Sequence, residues 1–188
     1  AKKTRFSHRY GNIGELMGKS VDEFFLNAIV KFWDPSFHCF TFGQKDICPT
    51  LEEISRILGI KLDLPCYSYI DDISESLQGI TGIQWNKLKK FVSRHGIDTP
   101  YLVSLLQQQR NEEYEFGVMA LIIYGTLIFP DITNYVRKHV VPFVRALQRA
   151  RNPINPLMAV LAEILRSLDH CRKTGGGVFS ASVHILYI

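Results

Sequence analysis

From Phe116 to Pro130 the chain runs fifteen residues without a charge, and this stretch limits the fold more than any other. It falls short of the roughly 20 apolar residues that cross a bilayer. Asn111-Glu112-Glu113 just before it puts acids at the positive end of a helix, predicted from Glu112 to about Phe129. A helix that is apolar nearly all round needs neighbours on most sides. The expectation is therefore mainly α: a multi-helix single domain built around this segment. A chain of 188 residues suits one such core. Its 46% hydrophobic and 21% charged content, with 12% aromatics, is that of a folded protein rather than a disordered one.

Local signals divide the rest. Ser20-Val21-Asp22-Glu23 has the form of a capping box. Behind it Val21, Phe24, Phe25, Ala28, Ile29, Phe32 and Trp33 are spaced as one buried face of a helix that Asp34-Pro35 ends. One short β-hairpin is predicted near residues 37–48, from Phe37–Phe42 and Lys45–Cys48 about Gly43-Gln44. A second box, Thr50-Leu51-Glu52-Glu53, opens a helix with Leu51, Ile54, Ile57 and Leu58 inward and Gly59 as its stop. Lys61–Ile83 reads as loop with a turn or two of helix. A helix over Gln84–Arg94 follows, with Trp85, Leu88 and Val92 inward, then one opened by Asp98-Thr99-Pro100 and carrying Leu102, Leu105 and Leu106. Beyond the apolar segment, helices are predicted over Ile132–Arg151, interrupted near Pro142, and over Pro156–Arg172. Val178–Ile188 is apolar with no cap or breaker, which reads as a helix that the native chain continues. Residues 1–19 read as an N-terminal extension and 20–188 as the domain.

Cys39, Cys48, Cys66 and Cys171 show no zinc spacing, and reduced thiols are expected. The predicted hairpin would set Cys39 opposite Cys48, which leaves a bridge there open. The start, Ala1–Arg9, is charged and leads into no signal-peptide core. No repeat of 20 to 50 residues is evident.

Two sets of segments carry a resemblance. Leu26–Pro35, Cys39-Phe40-Thr41-Phe42-Gly43 and Cys48–Glu53 resemble the opening of the plant mobile domain family, its retroelement-associated relatives included. Ala120–Pro130, Leu161–Leu168, and Cys171-Arg172 with Gly175-Gly176-Gly177 are similar to its continuation, in the same order. The match corresponds to the family's N-terminal half, so the domain is expected to be truncated at its C-terminus. The resemblance implies a helical module of transposon-derived nuclear proteins, tied to transposon silencing and gene expression. An "aminotransferase-like" label attached to some members implies a pyridoxal enzyme, and no phosphate cup followed by a Schiff-base lysine is readable here.

Candidate chemistry is thin. Asp169-His170-Cys171 looks like a nucleophile motif, but neighbours on a helix point about 100° apart, so His170 and Cys171 cannot pair. Asp22/Glu23, Glu52/Glu53 and Glu112/Glu113 sit in predicted first turns, where capping accounts for them. Asp71-Asp72 lacks a calcium-loop setting, and the six histidines show no metal spacing. Gly175–Gly177 reads as a linker, since no Lys-Ser/Thr follows it. No catalytic residue, cofactor, metal, small-molecule substrate or membrane role is expected. Basic residues crowd two predicted helices: Lys87, Lys89, Lys90 and Arg94 on one, Arg137, Lys138, Arg145, Arg149 and Arg151 on the other. Side by side, these would form a surface for phosphates. The leading expectation is a non-enzymatic protein-interaction module within a nuclear complex. The alternative is direct nucleic-acid binding, to DNA in particular, through those basic faces.

Overall fold

The computed structural model describes residues 2–20, 23–64, 72–131, 134–149, 155–175 and 179–187. The chain is mainly helical, with two small antiparallel sheets. Helix α1 spans Lys2–Tyr10 and α2 Glu23–Ile29, and α3 (Leu51–Leu58) follows the hairpin. Next come α4 (Ile73–Thr81), α5 (Trp85–Leu88), α6 (Thr99–Gln108) and α7 (Glu112–Ile123). Helices α8 (Val140–Arg149), α9 (Leu157–Lys173) and α10 (Val183–Tyr187) complete the set. None is long and apolar enough to cross a membrane among the described residues.

Helix α7 is the central element, as its composition demands. Val118, Ala120 and Leu121 are fully buried, and α4, α6 and α8 surround it. Past Ile123 the helix widens into a π turn, Tyr124–Ile128. A side chain at Gly125 would sit 2.5 Å from Val136 Cγ1, so only glycine lets the widened turn approach the strand Tyr135–Val136.

The strongest local signals fold as read. Thr50 and Glu53 form a complete capping box, and Gly59 closes α3 in the left-handed conformation. Asp98 accepts from the Tyr101 amide at the head of α6. The hairpin is β2 (Cys39–Phe42) with β3 (Lys45–Ile47), in register Phe40 to Ile47, and β1 (Trp33–Asp34) adds a third strand beside β2.

The segment read as an N-terminal extension packs onto the helices: Phe6, Tyr10, Ile13 and Leu16 lie in the core, and the buried Tyr124 hydroxyl donates to Tyr10 O at 2.8 Å. Ion pairs Lys2–Glu115, Arg5–Glu112 and Arg9–Glu113 run along the α1–α7 seam. Such exposed pairs contribute little each, so the apolar side chains beneath decide the docking. The aromatic face expected on the helix before Asp34 does not close onto the core. Helix α2 ends at Ile29, a tighter turn carries Val30–Phe32, and of the ring-bearing residues only Trp33 is buried. Trp33 and Phe40, rings 4.9 Å apart, seal the interior and leave Phe24, Phe25 and Phe32 outside. The box expected across Ser20–Glu23 runs through Val21 and Asp22, which lie outside the described residues.

Where mostly loop is predicted, α4 spans nine residues. Asp72 caps it by accepting from the Ser74 and Glu75 amides, and Gly82 closes it at φ 71°. Leu77 and Ile80 lock it against α7 and α8. The helix predicted over 84–94 stops after Leu88, tightens through Lys89–Phe91, and then turns extended at Val92, which bridges to Ile97. Gln84 provides no side-chain cap, and the Phe91-Val92 pair favours extended backbone. The helix predicted over 132–151 is instead a strand, β5 (Tyr135–Val136), followed by α8. Pro142 does not interrupt α8: it lies in the first turn, where its missing N–H has no partner to lose. Strand β5 pairs with β4 (Ile97–Asp98).

Candidate functional site

The Asp169-His170-Cys171 triplet disperses as helical geometry requires. Asp169 Oδ1 accepts from Trp33 Nε1 at 2.8 Å, His170 is exposed, and Cys171 is buried, which raises its thiol pKa. Among the described residues no group of three or more His, Cys, Asp or Glu is placed to hold a metal ion. Asp72 is spent capping α4, and Asp71 lies outside the described residues. The register carried one step past Phe40–Ile47 sets Cys39 opposite Cys48, as the hairpin reading foresaw, and both are free thiols. Burial raises the pKa of Cys39, so it stays protonated and poorly nucleophilic.

The basic residues divide into two kinds. Those of the second group are largely bonded within the protein. Arg137 Nη1 donates to Glu163 Oε1 at 2.8 Å, and its Nε lies 3.7 Å from Asp131. Arg145 and Arg149 do share a face of α8, but that face is turned to α4. The Arg145 guanidinium lies against Gly79, donating to its carbonyl at 2.9 Å and to Gln148 Oε1 at 2.6 Å. A Cβ at Gly79 would fall 2.3 Å from Arg145 Cζ, which explains a glycine inside α4. Arg149 pairs with Glu75 at 2.8 Å. Lys138 is exposed, and Arg151 lies outside the described residues.

Lys87, Lys89, Lys90 and Arg94 are all exposed, and none forms an ion pair among the described residues. Arg94 Nε donates to His95, and Lys90 Nζ stands 4.9 Å above the Phe91 ring. Helix α8 is packed against α4, α7 and α1, while α5 leans on α4. Arg145 and Arg149 thus face α4 from α8, whereas Arg137 and Lys138 follow the Tyr135–Val136 strand, which pairs with Ile97–Asp98 beyond the lysines.

Glu163 anchors the inward-facing part of this network. Burial raises its pKa, but hydrogen bonds from Arg166 and Arg137 outweigh that and hold it below the ordinary carboxylate range. The sign follows: the stabilisation is complete above the unfolded-state value of about 4.3 and is lost as pH falls through the folded value. Glu163→Gln is expected to cost about 2 kcal/mol at pH 7, leaving a half-buried guanidinium poorly matched. Urea titrations at pH 7 and pH 3 should show the gap between wild type and variant closing in acid. A gap independent of pH would contradict this account.

The sequence reading missed a second surface. Phe24 is 88% exposed, Phe37 77% and Ile47 55%, and the Phe32 and Phe42 rings lie 4.8 Å apart at the surface. Next to these rings a groove of about 380 Å³ runs between the hairpin, α3, α9 and α10. Ile54, Ile164 and Ile185 form its floor, with Phe42, Ile47 and Arg56 at its edge. The signal was available: the same aromatics that suggested a buried helix face also fit an exposed apolar one.

A family model described as a domain of unknown function matches residues 1–188. Neither the curated proteins nor the solved structures contain a match to the chain.

Proposed function

The chain belongs to the family described as a domain of unknown function (DUF7745), and from that footing we propose that it is a non-enzymatic protein-interaction module. The observation that carries this reading is the apolar face formed by Phe32, Phe37, Phe42 and Ile47 beside the hairpin groove. A contiguous exposed patch of large apolar side chains, rimmed by polar ones, is how a recognition surface differs from scattered surface hydrophobics. The resemblance to plant mobile domains, carried by segments on both sides of this face, supports a setting in a nuclear complex of a transposon-derived protein, with a role in silencing and gene regulation.

The test compares wild type, Phe32→Asp and Ile47→Asp as immobilised baits in nuclear extract, with Met158→Asp as an exposed apolar control on α9. Each hairpin-face variant should reduce retention of specifically bound proteins at least tenfold, while its thermal midpoint stays within about 2 °C of wild type. A tenfold loss corresponds to about 1.4 kcal/mol, the range of a modest hot spot. Equal loss with Met158→Asp, or retention unchanged in both face variants, would remove this face from the proposal.

The second reading is nucleic-acid binding. It is favoured by the exposed lysines Lys87, Lys89 and Lys90, and the α8 arginines contribute little to it because they are bonded within the protein.

A further inference from the structure

We propose that the segment Gln84–Arg110 forms a phosphate-contacting face for nucleic acid, centred on Lys87, Lys89 and Lys90, that holds the backbone without reading bases. The inference rests on the second reading above and confines it to one surface. Gln84–Arg110 contains five cations, Lys87, Lys89, Lys90, Arg94 and Arg110, against a single acid, Asp98. That surplus of four equals the formal charge of the whole chain, +4, so the remaining residues balance to zero. Asp98 is itself taken up as the cap of α6. The four cations of Lys2–Arg9 are each paired with a glutamate, whereas Lys87, Lys89 and Lys90 form no ion pair among the described residues and turn their charge to solvent.

The local shape suits a phosphate strand. Lys87 and Lys90, three residues apart, border a shallow trough of about 450 Å³. Its opposite wall, on α6, presents Tyr101, Ser104 and Gln108, and Asn86 lies beside the lysines. Lys with Asn, Gln and Tyr is a donor set that proteins place on phosphate and sugar oxygens, while the Ser104 hydroxyl donates to Tyr101 O at 2.7 Å. The trough has a firm base, because the Phe91 and Tyr101 rings stack at 3.4 Å and 9°. Lysine ammonium groups act as point charges that meet phosphate oxygens without a fixed two-pronged geometry, which suits contact with a nucleic-acid backbone in any register.

Fluorescence anisotropy with a labelled 20-nucleotide random-sequence DNA, single-stranded and duplex, between 50 and 200 mM salt provides the test. Three neutralised phosphates predict an affinity loss of about 40-fold for the duplex and about 20-fold for the single strand across that range. The triple variant Lys87→Gln, Lys89→Gln, Lys90→Gln should bind weakly with almost no salt slope, its circular dichroism unchanged because all three side chains are exposed. Arg149→Gln and Lys138→Gln should keep the wild-type slope. An unchanged slope in the triple variant overturns this face while leaving nucleic-acid binding to another surface. No binding by wild type at 50 mM salt overturns the face and the second reading together. Binding of polyglutamate in preference to DNA overturns the nucleic-acid assignment and points to an acidic protein.

Discussion

Replacing Gly96 with alanine is expected to destabilise the protein by about 4 kcal/mol, among the largest effects available from adding one methyl group. Two independent constraints meet at this residue. Its φ is 149°, a conformation that residues with a Cβ rarely adopt, and holding another residue there costs about 1–3 kcal/mol. A Cβ built on it would also stand 2.2 Å from the Val136 carbonyl oxygen. That oxygen belongs to backbone and cannot swing aside, so relief requires β4 and β5 to separate. Their parting would break the Ile97–Val136 and Asp98–Tyr135 pairing and loosen the turn closed by the Ser93 amide on Gly96 O at 2.8 Å. Because this clasp ties the lysine-bearing segment to β5, the variant should also lose native near-ultraviolet dichroism around Tyr101 and Tyr135. Urea unfolding is the measurement. A midpoint equal to that of wild type would mean that the two strands do not approach so closely.

Gly96 also shows where sequence reading ends. Nothing beside it in the chain shows what it accommodates, the backbone of a residue forty positions later. Elements whose signals are local were legible. Helix α3 carries its box at Thr50 and Glu53 and its stop at Gly59, and α6 is announced by Asp98 and Pro100. Helix α4 has equally local caps, Asp72 and Gly82, but Gly79 in its middle is a poor helix former. The reason for that glycine is the Arg145 guanidinium, 66 positions away in sequence. Strands β1, β4 and β5 are two residues each and exist only through their partners, so no period of two could announce them.

The basic residues teach a similar lesson about direction. Spacing correctly placed Arg145 and Arg149 on one face of α8, but periodicity does not say whether a charged face meets water or another helix. Here α4 supplies Glu75 and a bare backbone carbonyl at Gly79, and the charge is consumed internally. The same ambiguity, with opposite sign, left Phe24 and Phe32 assigned to the interior. At the N-terminus, Phe6, Tyr10 and Ile13 carry helical spacing that marks a buried stripe, but the surrounding Lys2, Lys3, Arg5 and Arg9 obscured it.

The second large effect is expected at Trp33. Truncation to alanine removes a 1%-exposed indole at the junction of β1 and α9 and should cost about 4 kcal/mol. Part of that cost is polar, since Trp33 Nε1 donates to Asp169 Oδ1 at 2.8 Å, and Asp169 Oδ2 lies 3.7 Å from His38 Nε2. A double-mutant cycle with Trp33→Phe and Asp169→Ala isolates that part. The coupling should be about 1 kcal/mol or more, whereas additive losses would show that the contact contributes nothing beyond packing. The same indole seats the sheet, and Phe42 and Ile47 lie on its own face of that sheet, at the exposed rim. Trp33→Ala should therefore abolish partner retention without touching the partner, and should lower the thermal midpoint as it does so. Ile47→Asp, by contrast, should abolish retention with the midpoint intact. If Trp33→Ala kept full retention in the folded fraction, the hairpin would not need this anchor to present its apolar face.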